Sequence, residues 1–354
     1  MTTHAKSDVQ ELSIDHVTLY VEDLETTALS FARDYGFETY ATAELPGRAK
    51  SVAIGSGRIR LVLTQALQDD HPAALYVRQH GDGVADIALT TPDAEAAFAE
   101  AVRRGTRPLA EPTEVDSVIT ATIAGFGDVR HTFVQRREGT GASHLPGFTS
   151  VDGGYSEVDS GLLEIDHLAV CLEAGSLRST VEFYERVLGF RNTFTERILV
   201  GAQAMDSEVV QSPSGGVTLT LIEPDTSREP GQVDYFIKNH DGSGVQHIAF
   251  RTEDIVRSVA AMSDRGIEFL STPAAYYRML GDRLRLARHL PEELASLNIL
   301  ADEDHEGQLF QIFTRSVHPR RTLFFEVIER VGATTFGSGN IKALYEAVEA
   351  EQSG

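Results

Sequence analysis

Three residues in the second half of this 354-residue chain have side chains suited to holding a metal ion: His167, His247 and Glu326. Each lies in a run that reads as a β-strand. Two imidazoles and one carboxylate fill about half of an octahedral shell and leave the rest open, the set expected of a non-haem Fe(II) that must take both a substrate and O2. A lone strand histidine is usually an ordinary polar residue with its hydrogen bonds satisfied. What raises these three above that is their place in an internal repeat.

Ser13-Ile14-Asp15-His16-Val17 returns as Glu164-Ile165-Asp166-His167-Leu168, and each copy runs into an amphipathic stretch ending Tyr35-Gly36-Phe37 or Leu188-Gly189-Phe190. Gly83-Val84-Ala85-Asp86-Ile87-Ala88 likewise returns as Gly244-Val245-Gln246-His247-Ile248-Ala249. His167 and His247 therefore open equivalent strands, and symmetry should bring them face to face. The first half is an internal control. Aligning Thr132–Arg136 with Glu326–Arg330 gives it His16, Asp86 and Thr132 at the three positions. Neutral threonine is a poor ligand, so we expect one iron per chain, a degenerate first site, and a structural role for His16.

The elements that must position these residues follow from periodicity. In the second half, 163–172, 203–210 and 216–223 read as strands, and 177–188 reads as a helix stopped at Gly189. A turn at Ser212-Pro213-Ser214-Gly215 separates the last two strands. Next come a strand at 245–251, a helix at 255–265 stopped by Gly266, and strands at 308–314 and 322–330. An insertion at 274–305 is helical around 291–297, and a closing helix is expected over 340–352. The boundaries expected are a first domain over 11–137, a Gly-, Ser- and acid-rich linker over 138–161, and a catalytic domain over 162–354.

The composition narrows the function. Hydrophobic residues make up 42% of the chain, enough for a large core. With 53 acidic against 31 basic residues, the net charge of −22 repels nucleic acid and anionic lipid, so neither is an expected partner. Cys171 is the only cysteine, which excludes an intrachain disulfide and suits a reducing compartment. It lies four residues beyond His167, roughly 13 Å along a strand, too far to share a metal. The start of the chain has no apolar signal core and no stretch approaches the roughly 20 apolar residues of a membrane span, so a cytoplasmic location is expected.

Four βαβββ units in two pairs resemble the vicinal oxygen chelate (glyoxalase-like) superfamily, which implies an α+β fold of two pseudo-symmetric domains with half-open sheets. That fold hosts isomerases, dioxygenases and metal-free binding proteins, so it does not choose a function. Four stretches are more specific: 244–250 (GVQHIAF), 308–314 (QLFQIFT), 324–330 (FFEVIER) and 336–344 (FGSGNIKAL). They resemble the 4-hydroxyphenylpyruvate dioxygenase family, which includes the 4-hydroxymandelate synthases. The resemblance implies an Fe(II) enzyme whose substrate, 4-hydroxyphenylpyruvate, chelates the metal through its own keto acid. O2 binds, CO2 is lost and a ferryl oxidant forms. Ring attack with side-chain migration gives homogentisate, and attack on the benzylic carbon gives 4-hydroxymandelate.

Two departures separate these outcomes. Ring-attacking members carry Pro-x-Asn-Glu-Pro where this chain has Thr220-Leu221-Ile222-Glu223-Pro224, and Phe where it has Ile341. Both changes resemble the synthases, so benzylic hydroxylation, serving hydroxyphenylglycine antibiotics, is the expected activity. Other pocket residues come from the resemblance by position: Ser207 and Thr220 as hydroxyl contacts, Gln232, Gln246 and Gln311 as amide contacts, and Phe313, Phe324 and Phe336 as an apolar wall. Each is equally consistent with core packing, and Tyr345 is weaker still. Alternation puts Gln246 on the face opposite His247. The resemblance alone suggests a homodimer. The competing readings are the homogentisate-forming dioxygenase, a metal-free binding protein, which would need no His–His–Glu set, and a glyoxalase-like isomerase, which would want a fuller set of protein ligands.

Overall fold

The computed structural model of the chain describes residues 11–151, 159–337, 339–340 and 342. Each unit is a strand, a helix and three further strands. The first comprises β1 (Ser13–Tyr20), α1 (Leu24–Ser30), β2 (Glu38–Leu45), β3 (Ala49–Ser56) and β4 (Ile59–Ala66). After α2 (Pro72–His80) comes the second, with β5 (Gly83–Thr90), α3 (Ala94–Arg103), β6 (Pro108–Val115), β7 (Val118–Ala124) and β8 (Arg130–Arg136). The segment expected to be a plain linker adds a short strand, β9 (Thr149–Ser150), beside β2, and buries Leu145.

The second half repeats this plan. Its third unit is β10 (Leu162–Cys171), α4 (Leu177–Phe183), β11 (Arg191–Val200), β12 (Gln203–Gln211) and β13 (Thr218–Pro224). After α5 (Gln232–His240) comes the fourth: β14 (Gly244–Thr252), α6 (Ile255–Ser263), α7 (Ala274–Arg283), α8 (Pro291–Ser296), β15 (Leu300–Glu303), β16 (Gln308–Phe313) and β17 (Phe324–Val331). The 274–305 insertion thus holds two helices and an edge strand. The closing helix expected at 340–352 lies almost wholly outside the described residues.

The sheets have matching strand orders, β2-β3-β4-β1-β5-β8-β7-β6 and β11-β12-β13-β10-β14-β17-β16-β15, the first extended by β9. In each, the opening strands of paired units run antiparallel at the centre, β1 against β5 and β10 against β14. This is the α+β vicinal oxygen chelate fold. The helix expected over 177–188 is continuous but widens into a π turn at Tyr184–Leu188, as α1 does at Phe31–Tyr35. Gly36 and Gly189, with φ of 70° and 69°, end both in the left-handed region that glycine tolerates.

The first half braces the strands that carry the candidate ligands. On β14 and β17, Phe250 and Phe325 alternate away from His247 and Glu326. Their rings meet Tyr35 and Phe37 of the first half, with Tyr35 and Phe325 5.3 Å apart and Phe37 and Phe250 5.6 Å apart. Each such ring contributes about 1.5–3 kcal/mol by burial, so the interface holds the sheet from behind. Across it, the Tyr184 hydroxyl lies 2.8 Å from Nε2 of buried His131.

The C-terminal ends of α2 and α5 also meet, with the His80 and His240 rings stacked at 4.3 Å. Burial, with His80 and Arg320 nearby, pushes His240 down to about 4 from 6.5, against an opposing pull from Asp128 and the Gly242 carbonyl. Above 6.5 the ring is neutral folded or unfolded. Below it, only the unfolded chain takes up the proton, so stability falls as pH drops from about 6.5 toward about 4. Urea midpoints measured across that window should fall, and fall less in His240→Gln; equal slopes in both proteins would contradict this.

Candidate metal centre

Strand register gathers the three ligand candidates. His167 pairs with Ala249 across β10 and β14, and Ala249 pairs with Glu326 across β14 and β17, so both side chains leave the same face. His247 lies two residues from Ala249 and keeps that face. All three are buried. Glu326 Oε2 is 3.3 Å from His167 Nε2 and 3.2 Å from His247 Nε2. Metal–ligand bonds of about 2.1 Å at right angles put neighbouring ligand atoms about 3 Å apart, so the spacing fits one ion bound on one side.

The outer nitrogens fix the tautomers. His167 Nδ1 donates to Asp166 Oδ1 at 2.9 Å, and His247 Nδ1 to Gln246 Oε1 at 3.3 Å, leaving each Nε2 turned inward. Burial alone would raise the Glu326 carboxyl, but the two imidazoles hold it below the usual carboxylate range. Burial works against a charged His167, yet Glu326 and Asp166 push it up to about 9. His247 is pushed down, first by burial. This field favours positive charge, and the cluster can hold a metal ion.

Two β-bulges explain how neighbours in sequence share this face. Pairing skips Asp166 on β10, between Ile165 and His167. It also skips Gln246 on β14, where Ala169 and Val170 face His247 and Val245. The expectation that Gln246 points away from His247 is therefore wrong: the bulge turns its amide to the ligand side.

The first half shows the same bulges at Asp15 and Ala85 but different chemistry. Asp86 accepts from Arg130 Nε at 2.8 Å and Thr132 Oγ1 at 2.6 Å, so an arginine supplies the positive charge there. His16 Nδ1 bonds to Asp15 at 2.7 Å. Asp254, His289 and Glu329 also lie close together. However, Glu329 caps α6 through the Ile255 amide, pairs with Arg288 at 2.9 Å and lies 2.8 Å from His289 Nε2.

The cavity beside the three ligands is lined by Ser207, Thr220, Ile222, Gln246, Gln311, Phe313 and Phe336, together with Ile198. Thr220 Oγ1 is buried with no hydrogen-bond partner among the described residues. Phe336 stands edge-on to His167 at 4.8 Å. Phe324 stacks on His247 at 5.0 Å, but with Gln232 it lines an adjoining cleft of about 1490 Å³, which Gln246 joins to the cavity. Ile341 and Tyr345 lie outside the described residues. The free space of about 30 Å³ suits a water or two, so a ring-bearing molecule enters only if a wall shifts.

Residues 166–283 match the model of the Glyoxalase/Bleomycin resistance protein/Dioxygenase superfamily, and residues 30–149 that of the N-terminal region of hydroxyphenylpyruvate dioxygenase. The 4-hydroxyphenylpyruvate dioxygenase of Yarrowia lipolytica is 32% identical over 96% of this chain and 92% of its own, and that of Dictyostelium discoideum 33% over 96% and 97%. The chain belongs to the 4-hydroxyphenylpyruvate dioxygenase family. A solved triple mutant of 4-hydroxymandelate synthase from Streptomyces coelicolor superposes with a TM-score of 0.88, at 43% identity, covering 97% of this chain and 99% of that one.

Sequence reasoning missed three residues of this family member's site. Ile198 escaped because β11 is an edge strand whose residues are mostly exposed or half-buried. Asp166 and Arg330 support His167 through a bidentate ion pair at 2.8 Å. Their signal was present, since Asp15 and Arg136 recur as Asp166 and Arg330 in the repeat.

Proposed function

We propose that this family member converts 4-hydroxyphenylpyruvate and O2 to 4-hydroxymandelate and CO2 with one Fe(II) held by His167, His247 and Glu326. The observation that carries the reading is Ile222. It lies in the wall of the metal cavity, packed with Ile198 and Cys171, at the position where the resemblance places an amide in ring-attacking members. The greater identity to a 4-hydroxymandelate synthase than to the dioxygenases above supports it.

Held by His167, His247 and Glu326, bound iron would supply the redox chemistry of decarboxylation and hydroxylation. The rest falls to the chain. Asp166 and Gln246 fix the ligand rings, and Thr220 and Ser207 offer hydroxyls to the substrate. Gln311 offers an amide, and Phe313 and Phe336 exclude water and confine the aromatic ring. Ile198 and Ile222 form an apolar shelf that gives the ring's polar end nothing to bond. The ring would then settle with its benzylic carbon, rather than its own carbons, toward the His167, His247 and Glu326 side of the cavity. Both atoms of O2 end in the organic acid, one in its new carboxylate and one in its benzylic hydroxyl.

The homogentisate-forming reaction is the second reading, favoured by the names of the relatives at 32% and 33% identity. Both share one test of class. The Fe(II)-loaded protein should consume O2 and release CO2 in equal amounts with 4-hydroxyphenylpyruvate and no added 2-oxoglutarate, and should stop when the metal is chelated. Turnover unaffected by chelation, or a requirement for 2-oxoglutarate, would contradict the proposal.

A further inference from the structure

Arg330 makes more contacts around the metal cluster than a simple ion pair needs. Nε and Nη2 grip Asp166, each at 2.8 Å, and Asp166 accepts from His167 Nδ1. Nη1 donates to the Thr335 carbonyl at 2.6 Å and, more weakly, to that of Ala333 at 3.4 Å. The guanidinium carbon lies 5.1 Å from the Phe336 ring centroid, and that ring stands against His167. The contacts form a closed circuit from Arg330 through Asp166, His167 and Phe336 back to Arg330.

The first half shows which part of this circuit is special. Arg136 grips Asp15 with both terminal nitrogens, and Asp15 holds His16, so the Arg–Asp–His set persists where Arg130 takes the place of a metal. Its remaining donor, Nε, goes to the His144 carbonyl at 3.0 Å, tying down the segment between the halves. Arg330 instead spends its spare donor and its π-facing surface on the stretch that carries the cavity wall. A planar fork with five donors can serve a carboxylate, a carbonyl and a ring together; an ammonium cannot.

We infer that Arg330 is a positioning residue that locks the orientation of His167 to the placement of the Phe336 wall, so that the metal and the aromatic ring of the substrate are held in one register. The inference rests on the proposed reaction for its second half only. Breaking the lock should weaken metal binding and lower the yield of hydroxylated product per O2, part of the keto acid leaving as the merely decarboxylated acid with the second oxygen atom reduced to water by ascorbate supplied in the assay.

The test compares four variants by metal affinity in chelator competition with Co(II) and Fe(II), by hydroxylated product formed per O2 consumed with ascorbate present, and by thermal midpoint. Arg330→Met should lose about 10–100-fold in metal affinity and form less product per O2. Arg330→Lys should recover part of the affinity, because charge opposite Asp166 returns, but not the coupling. Phe336→Leu should keep the affinity and lose coupling. Arg136→Met should lower the thermal midpoint and leave metal affinity unchanged. The inference is overturned if Arg330→Met matches the parent in affinity and coupling, or if its losses only track the unfolded fraction. It is equally overturned if Arg136→Met weakens the metal as much. Should the parent fail to turn over 4-hydroxyphenylpyruvate, the proposed reaction falls, while the Co(II) affinities still decide whether Arg330 positions His167.

Discussion

Glu326→Ala is expected to retain no stoichiometric iron after gel filtration and to lose turnover of 4-hydroxyphenylpyruvate. The carboxylate oxygen lies 3.2 and 3.3 Å from the two imidazole Nε2 atoms and is, among the described residues, the carboxylate of the candidate ligand cluster. Metal catalysis supplies several kcal/mol of transition-state stabilisation, so the loss should be about 10³-fold or more. The fold should survive, because β17 joins the main core through Phe325 and Val327 on its other face. Circular dichroism and metal analysis of the same sample separate the two effects. A folded variant that keeps one iron and turns over within about tenfold of the parent would show that Glu326 is not a ligand.

Ile222→Asn combined with Ile341→Phe is expected to move part of the product from 4-hydroxymandelate to homogentisate. The change at 222 places an amide in a wall that Ile198, Cys171, Val233 and Phe236 keep apolar. Across the strands, Ile222 faces Ser207, so the new amide would have a hydroxyl partner. Stability should still fall by about 1–3 kcal/mol, from a buried polar group that is only partly satisfied. The shift in product is the larger and more telling effect. If the double variant forms no homogentisate at all, the ring is aimed by other residues, and Ile198, which shares that wall, is the next to replace.

Much of the site could be read in advance because duplication wrote it twice. The recurrence of Asp-His at 15–16 and 166–167 located β1 and β10. The contrast of Asp86 with His247 and of Thr132 with Glu326 singled out the half with the ligand set. Elements with weak patterns were harder to see. Strand β11 is an edge strand with polar or charged residues at six of its first seven positions, and α2, α5 and α7 are short helices between stronger signals. Gln246 was misplaced because a regular strand alternates at every residue, and a bulge, which the apolar pattern does not encode, breaks that rule. The repeat pairs Arg330 with Asp166, but the contacts of Phe336 with Arg330 and His167 exist only in three dimensions, so spacing along the chain could not show them.

The most direct test of the central claim is the identity of the product. Iron-loaded protein would be supplied with 4-hydroxyphenylpyruvate and O2, the aromatic acid separated chromatographically and its proton NMR spectrum recorded, because the two candidate products are isomers of equal mass. A benzylic CH–OH signal beside an intact para-substituted ring is the predicted result. The three-proton ring pattern of homogentisate, with its benzylic CH2, would contradict the account and show that Ile222 does not keep oxygen from the ring.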